Sequence, residues 1–147
     1  MCVIIDTNVA QRVLCTTDDP DYGDLHSRLF AANRNQICLV YGGQLLREYV
    51  RSSVIIHLIR LLDQTGRARA ISDSLVDSET QRVIAEGLCI SNDEHIIALA
   101  RVSGVRVLCT NDACLQDDFR NPLLVRKPRG KIYSRKSHKR MLNHACR

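Results

Sequence analysis

Short apolar runs alternate with longer segments of helical periodicity along the chain. The β-branched run Cys2–Ile5 predicts a buried strand, residues 37–40 and 105–109 predict two more, and residues 123–125 predict a fourth. Because strands that alternate with helices form parallel sheets covered on both faces, the pattern predicts an α/β fold with a mainly parallel sheet of four or five strands.

The most regular helical pattern covers residues 44–63, where apolar side chains recur at steps of three and four residues. We expect one long amphipathic helix there, whose apolar second half packs either on the sheet or on a partner subunit. Ser91 and Glu94 match a capping box and predict the start of another helix. Residues 67–78 favour no single element. Shorter helices are expected at residues 9–14, 22–32, 79–88, 94–102 and 113–119, with a turn at 33–35.

The 147 residues are the length of one domain, since domains cluster at about 100–150 residues. The charge is uneven: residues 121–147 carry nine Lys or Arg and no acidic residue, although the net charge is only +5. We therefore expect one α/β domain over residues 1–125 and a basic C-terminal extension over residues 126–147, to which a polyanion could bind.

Residues 1–120 contain no lysine, which excludes chemistry that needs a lysine in the body of the fold. The seven cysteines form no C-x-x-C pair, and their pattern is typical of reduced thiols. No apolar run approaches the ~20 residues that span a bilayer, and no basic residue precedes Asp6 as in a secretory signal. We therefore expect a cytoplasmic protein with no membrane partner.

Four acidic residues follow predicted strands or open predicted helices at the carboxyl-end edge of the sheet: Asp6, Glu48, Asp93 and Asp112. Ligands of parallel α/β sheets gather at this edge. Each residue taken singly has a simpler explanation, as a helix cap or a solvated helix position. Together they would repel one another by several kcal/mol unless protons or hard divalent cations offset the charge. The conjunction favours a metal site.

These segments resemble the ordered motifs of the PIN-domain nucleases, including the VapC-type toxins. The matching stretches are Ile-Ile-Asp-Thr-Asn-Val at 4–9, Leu-Leu-Arg-Glu-Tyr-Val at 45–50, Asn-Asp-Glu-His-Ile-Ile-Ala-Leu-Ala at 92–100 and Leu-Cys-Thr-Asn-Asp at 108–112. The resemblance covers residues 3 to about 119. It implies a PIN-like three-layer sandwich, in which helices flank the sheet.

The resemblance also implies that Asp6, Glu48, Asp93 and Asp112 are both the catalytic and the metal-binding residues, with one or two Mg²⁺ or Mn²⁺ ions as cofactor. Asn8 and Thr110 would orient these carboxylates through hydrogen bonds. Asp117 and Asp118 compete with Asp112 for the fourth place, but the Thr-Asn that precedes Asp112 favours it. His95, two residues after Asp93, is expected on the surface of its helix.

The resemblance implies a metal-dependent ribonuclease, a hydrolase of phosphodiester bonds, and metal ions held by carboxylates can supply this chemistry. The resemblance further implies toxin–antitoxin membership, an antitoxin partner and a homodimer. The alternative is a catalytically silent PIN-like module that binds nucleic acid or protein. Charge alone assigns RNA binding to the extension, through Lys127, Arg129, Lys131, Arg135 and Lys136. Within it, the apolar pair after Lys131 and the 140–142 stretch would anchor the extension to the body.

Overall fold

A computed structural model describes residues 1–31 and 35–143. Its centre is a sheet of five parallel strands in the order β3-β2-β1-β4-β5. The strands are β1 (Cys2–Ile5), β2 (Cys38–Gly42), β3 (Ala68–Ile71), β4 (Val107–Cys109) and β5 (Lys131–Tyr133). The predicted α/β class, with an all-parallel, PIN-like sheet, is therefore confirmed.

Helices connect the strands and flank the sheet. They are α1 (Thr7–Cys15), α2 (Gly23–Phe30), α3 (Gln44–Tyr49), α4 (Ser53–Gln64), α5 (Asp73–Glu86), α6 (Glu94–Ser103) and α7 (Ala113–Arg120), followed by a 3₁₀ helix (Lys136–Asn143). Helix α1 packs against α2, α3 and α4, whereas α5 packs on α6. Residues 32–34 lie outside the described residues. They include the end of the helix predicted to reach residue 32 and most of the turn predicted at 33–35. Residues 144–147 of the extension also lie outside the described residues.

Strand β1 lies in the middle of the sheet, and its side chains Val3, Ile4 and Ile5 are completely buried. A strand covered on both faces must be apolar throughout, as the sequence of β1 is. The strand ends where the first polar residue, Asp6, occurs. This position places Asp6 at the carboxyl-end edge, directly before the first residue of α1.

The single helix predicted over residues 44–63 is wrong, because the segment forms two helices, α3 and α4. The break lies at Ser52, whose backbone is extended and whose hydroxyl accepts a hydrogen bond from the backbone N–H of Ile55 at 3.3 Å. Serine in this position caps the second helix instead of continuing the first. Of the apolar stripe on α4, Ile55, Ile59 and Leu62 are buried within the chain.

The strand predicted at residues 123–125 is also wrong: these residues form a turn, although Leu124 and Val125 are buried. The fifth strand is Lys131–Tyr133, within the segment predicted to be the basic extension. Its pairing with β4 requires a glycine at residue 130, because a Cβ there would lie 2.1 Å from the carbonyl oxygen of Phe119.

The apolar side chains of this basic segment attach it to the body, as predicted. Ile132 and Tyr133 are buried in the sheet, and Leu142 of the 3₁₀ helix is buried at 3% exposure. Arg28 of α2 donates hydrogen bonds to the carbonyl oxygen of Leu142 and to the side chain of Asn143, both at 2.8 Å.

Across residues 1–31 and 35–143, no helix has the length and apolar character needed to cross a membrane.

Candidate functional site

The four predicted carboxylates reach the carboxyl-end edge of the sheet from four separate segments. Asp6 follows β1 and Asp112 follows β4, as the parallel topology requires. Glu48 lies on α3, the helix after β2, and Asp93 directly precedes α6. This edge is where a parallel α/β sheet binds its ligands.

Asp6 is the most buried of the four, with only 6% of its surface exposed. Its backbone N–H donates to the carbonyl oxygen of Cys109 at 2.9 Å, which extends the pairing of β1 with β4 by one bond. Its carboxylate accepts a hydrogen bond from the Thr110 hydroxyl at 2.8 Å and a longer one from Thr7 at 3.4 Å. Its side chain forms no capping hydrogen bond of normal geometry to α1, although the backbone N–H of Asn8 in the first turn interacts with the carboxylate.

Glu48 faces the same edge. One carboxylate oxygen accepts a hydrogen bond from the Thr7 hydroxyl at 3.0 Å, and the other lies 3.4 Å from Nε2 of His95. The expectation that His95 lies on the surface is wrong, because it is only 8% exposed on a helix buried on most sides. Its Nε2 is buried and forms no hydrogen bond of acceptable geometry within the described part of the chain.

Asp93 and Asp112 differ in how their side chains are used. The Asp112 carboxylate accepts a hydrogen bond from the backbone N–H of Leu115 at 2.9 Å and caps α7. Asp93 directly precedes α6, but its carboxylate forms no capping hydrogen bond. The capping box predicted at Ser91 and Glu94 is wrong, since Glu94 is the first helical residue and the Ser91 hydroxyl donates to Asp118 instead.

The pKa values of two of these carboxyls reveal their mutual repulsion. Burial raises the pKa of Asp6, the charge of Glu48 raises it further, and hydrogen bonding from Thr110 and the Asn8 backbone opposes the rise. Burial likewise raises the pKa of Asp93, to which the charges of Asp6, Asp112 and Glu48 contribute. The other three carboxylates therefore lie within electrostatic range of Asp93.

Thr110 connects the two strands that carry Asp6 and Asp112. Its fully buried hydroxyl donates to Asp6, while it accepts the backbone N–H of Asp112 at 3.1 Å and the side-chain amide of Asn8 at 3.4 Å. The amide of Asn8 thus reaches Thr110 and not a carboxylate. One hydroxyl fixes the relative positions of three polar residues at this edge.

Two further contacts at the site were not predicted. Thr7 bridges Asp6 and Glu48 through one hydroxyl, and Tyr49, which is fully buried, donates its hydroxyl hydrogen bond to the carbonyl oxygen of Ile5. Burial raises the pKa of Tyr49 well above its usual value, so the phenol stays protonated. A signal for Thr7 was present in its position directly after Asp6, but the Tyr49 contact joins residues 44 apart and no local pattern predicts it.

Asp117 and Asp118, the alternatives to Asp112 as the fourth acidic residue, lie in different surroundings. Asp118 is buried and accepts hydrogen bonds from the backbone N–H groups of Ile90 and Ser91 and from the Ser91 hydroxyl, at 2.6–3.0 Å. Asp117 is exposed on α7. Of the three candidates, only Asp112 contributes to the raised pKa of Asp93.

The four carboxylates are ligands of the kind that a hard cation prefers, since Mg²⁺ and Mn²⁺ bind carboxylate oxygens. The Asp93 carboxylate and one oxygen of Asp112 have no hydrogen bond to any described residue, and a cation would relieve the repulsion that raises the two pKa values. The side chains are not yet gathered: within residues 1–31 and 35–143, no three His, Cys, Asp or Glu side chains are close enough together to hold an ion. Binding would require rotation of these side chains.

The five predicted RNA-binding residues all lie on the surface: Lys127, Arg129, Lys131, Arg135 and Lys136. Among the described residues, none of them forms a salt bridge with an acidic side chain. Their charge is therefore available to an external anion.

No protein-family model matches the sequence, and no curated protein matches it. Among solved structures, the chain is similar to the crystal structure of VapBC2 from Rickettsia felis bound to a DNA fragment from their promoter. The similarity covers 91% of this chain and 100% of that chain, at 16% sequence identity and a TM-score of 0.49. The chain's own strand order gives it an α/β fold with a five-stranded parallel sheet.

Proposed function

We propose that this chain is a metal-dependent ribonuclease whose Asp6, Glu48, Asp93 and Asp112 bind Mg²⁺ or Mn²⁺. The observation that carries the proposal is the arrival of four carboxylates from four separate segments at the carboxyl-end edge of the sheet. Burial and the charges of Asp6, Asp112 and Glu48 raise the pKa of Asp93 there. Keeping four acids close together costs folding free energy unless a cation offsets the repulsion. A site with this arrangement is suited to a divalent ion and, through it, to a phosphate.

When bound, the cation would make a water nucleophilic and offset charge on the phosphoryl and leaving oxygens. The chain's own residues hold the ligands in place. Thr110 donates to one oxygen of Asp6 at 2.8 Å, and the Thr7 hydroxyl lies between Asp6 and Glu48, at 3.4 and 3.0 Å from their carboxylate oxygens. Asn8 supports Thr110 and thereby the same carboxylate.

The decisive test replaces Asp6 by asparagine, which keeps the size of the side chain but removes its charge. We expect Asp6→Asn to lower Mg²⁺-dependent cleavage of RNA by about a hundredfold or more, because a neutral amide neither offsets nor bridges metal charge. Asp117→Asn is the matched control, since Asp117 is exposed and lies outside the site. Cleavage by Asp6→Asn at the rate of the unmodified protein would place the active site elsewhere.

A second candidate function, a catalytically silent module, is favoured by one observation. No three potential ligands are gathered in the described part of the chain. A calorimetric titration with MnCl₂ separates the two functions. Binding that Asp6→Asn weakens supports the nuclease, whereas equal binding by both proteins supports the silent module.

The exposed cations of the C-terminal segment are proposed to bind the RNA backbone. Deletion of this segment would not test the idea, because it would also remove β5 and the buried Ile132 and Tyr133. Replacing the five exposed residues Lys127, Arg129, Lys131, Arg135 and Lys136 by glutamine should keep the fold, because none of these side chains is buried. We expect RNA binding to weaken and its salt dependence to flatten, by about 0.7 in slope for each lost phosphate contact on a single strand. An unchanged slope would assign the binding to the arginines of the body.

The toxin role, an antitoxin partner, a homodimer and a cytoplasmic location remain proposals that rest on the motif resemblance. The surface of α4 offers Val54 and Leu61 to a partner, since their side chains are exposed while the rest of the stripe packs inside. Sedimentation equilibrium at tens of micromolar tests the dimer: a monomer alone would remove it.

A further inference from the structure

A polar cavity of about 390 Å³ opens between α3, α5 and α6. Its walls include Gln44 and Arg47 from α3, Thr80 and Gln81 from α5, and His95 from α6. His95 lines the cavity, and its Nε2 lies 3.4 Å from a carboxylate oxygen of Glu48, so the cavity adjoins this one of the four carboxylates. Its volume is within the range of about 300–1,000 Å³ that is typical of small-molecule sites.

Arg47 is held rigidly at this cavity by hydrogen bonds to two side chains. Its two terminal nitrogens donate to the Asp77 carboxylate at 2.7 and 3.3 Å, and its Nε donates to Gln44 at 3.1 Å. Such a bidentate pair fixes the guanidinium plane. Splayed-out RNA bases stack on arginine planes where aromatic rings are lacking, and this cavity has no aromatic wall apart from the His95 ring.

The polar atoms of the cavity that remain available can both donate and accept. The Gln81 side chain forms no hydrogen bond with the described residues, and the Gln44 amide nitrogen has none either. Thr80 uses its proton within its own helix, on the carbonyl of Val76 at 2.7 Å, and keeps its acceptor capacity. Nε2 of His95 is buried and lies 3.4 Å from the Glu48 carboxylate, without a hydrogen bond of good geometry to any described residue.

The charge of the cavity argues against a phosphate as its ligand. Asp77 neutralises Arg47, and Glu94 adds a further negative charge to the wall. A neutral ligand with adjacent donor and acceptor groups fits better. The edges of nucleobases have this pattern, and glutamine amides pair with it in two parallel hydrogen bonds, most favourably on adenine.

We propose that this cavity binds one base of the RNA, adenine in preference to the others, beside the bond that the carboxylates cleave. This proposal rests on the proposed ribonuclease function and names the determinant of its sequence preference. Arg47 provides the stacking surface, and Gln81 and Gln44 read the edge of the base. The cavity thereby places the neighbouring phosphate at Glu48.

The test is the sequence around the cut sites in a randomised RNA pool cleaved with Mg²⁺. We expect the protein to favour cleavage next to adenine, and Gln81→Leu to lower that preference about tenfold, because it removes one donor and one acceptor. Gln64→Leu is the matched control: it makes the same change on the exposed end of α4 and should cleave as the unmodified protein does. An equal preference in Gln81→Leu and the unmodified protein would overturn the proposal.

A second measurement, without cleavage, separates this proposal from the proposed function. The four nucleoside 5′-monophosphates are titrated into the full chain in EDTA and followed by NMR shifts of the Gln44 and Gln81 side-chain amides. We expect AMP to bind most tightly and Gln81→Leu to weaken it several-fold. Equal binding of all four nucleotides overturns the cavity assignment, even if RNA is cleaved. Selective AMP binding by a protein that cleaves no RNA leaves the cavity assignment standing and overturns the nuclease.

Discussion

Asp6 and Asp118 are both almost completely buried, at 6% and 2% exposure, yet their surroundings differ in kind. Asp118 accepts three hydrogen bonds at 2.6–3.0 Å from one short stretch, the backbone and hydroxyl at residues 90–91. Asp6 accepts one good hydrogen bond, from Thr110, and shares its edge of the sheet with three other carboxylates. One carboxylate is satisfied by donors, whereas the other is surrounded by further acceptors.

The difference separates a structural acid from a candidate ligand. A buried charge with a full set of donors stabilises the segment that donates to it. A buried charge that faces other charges of the same sign destabilises the fold and is useful only to a cation that binds there. Burial alone does not distinguish the two, but the donors do.

The largest expected effect is on the stability of the Asp118 region. We expect Asp118→Ala to lower the free energy of unfolding by about 3–5 kcal/mol, because it removes a carboxylate acceptor and leaves the buried N–H of Ser91 and the part-buried N–H of Ile90 without their partner. Urea denaturation measures the effect. The control is Asp117→Ala, an exposed neighbour that should change stability by less than about 0.5 kcal/mol. Similar losses of unfolding free energy in the two variants would show that Asp118 has no special structural role.

A smaller effect is expected at Thr110. Thr110→Val keeps the shape but loses the hydroxyl that donates to Asp6, so stability should fall by about 1 kcal/mol. The same change should raise the pKa of Asp6 further, because the lost hydrogen bond favours the ionised carboxylate. Titration of the Asp6 carboxyl carbon by NMR measures this rise. If the pKa stays constant or falls, Thr110 does not position Asp6.

The smallest expected effect is the pH dependence of stability that the Asp6 carboxyl causes. Since burial raises the pKa of Asp6 in the folded protein, the folded state keeps this proton to higher pH than the unfolded chain, whose pKa is near 3.8. Ionisation of Asp6 should therefore lower stability as the pH rises from about 4 through the raised pKa. In EDTA, the unmodified protein should lose stability relative to Asp6→Asn over this range, and Mg²⁺ should restore it. Parallel pH profiles of the two proteins would show that the carboxylate is not repelled.

Much of the fold was predictable because the central strands are apolar throughout. Strands β1, β2 and β4 were recognised from such runs, whereas β3 was missed because Arg69 interrupts a four-residue strand with an exposed charge. Strand β5 was hidden by the basic residues around its two buried positions. The break between α3 and α4 was missed because Ser52 lies within an uninterrupted apolar period, and only its extended backbone reveals the cap.

The site was predictable in part, since its carboxylates follow strands and the order of the strands brings their ends together. The hydrogen bonds that each of these side chains forms could not be predicted from the sequence. The roles of Asp112 as a helix cap and of Asp118 as an acceptor for residues 90–91 depend on contacts that the local sequence does not determine. The burial of His95 depends in the same way on how α6 packs, and this is set by distant segments.

The pairing of β1 with β4 has a consequence for how the protein folds. Ile4 and Ile5 pair with Leu108 and Cys109, so this pairing brings together two strands that are separated by about a hundred residues of sequence. Contacts this distant in sequence form slowly, whereas those of β2 with β3 close a much shorter loop. We expect the hydrogen bond from Thr110 to Asp6 to form only once this pairing is complete. A partly folded chain would then carry the four acids dispersed, without the closeness on which the proposed metal binding depends.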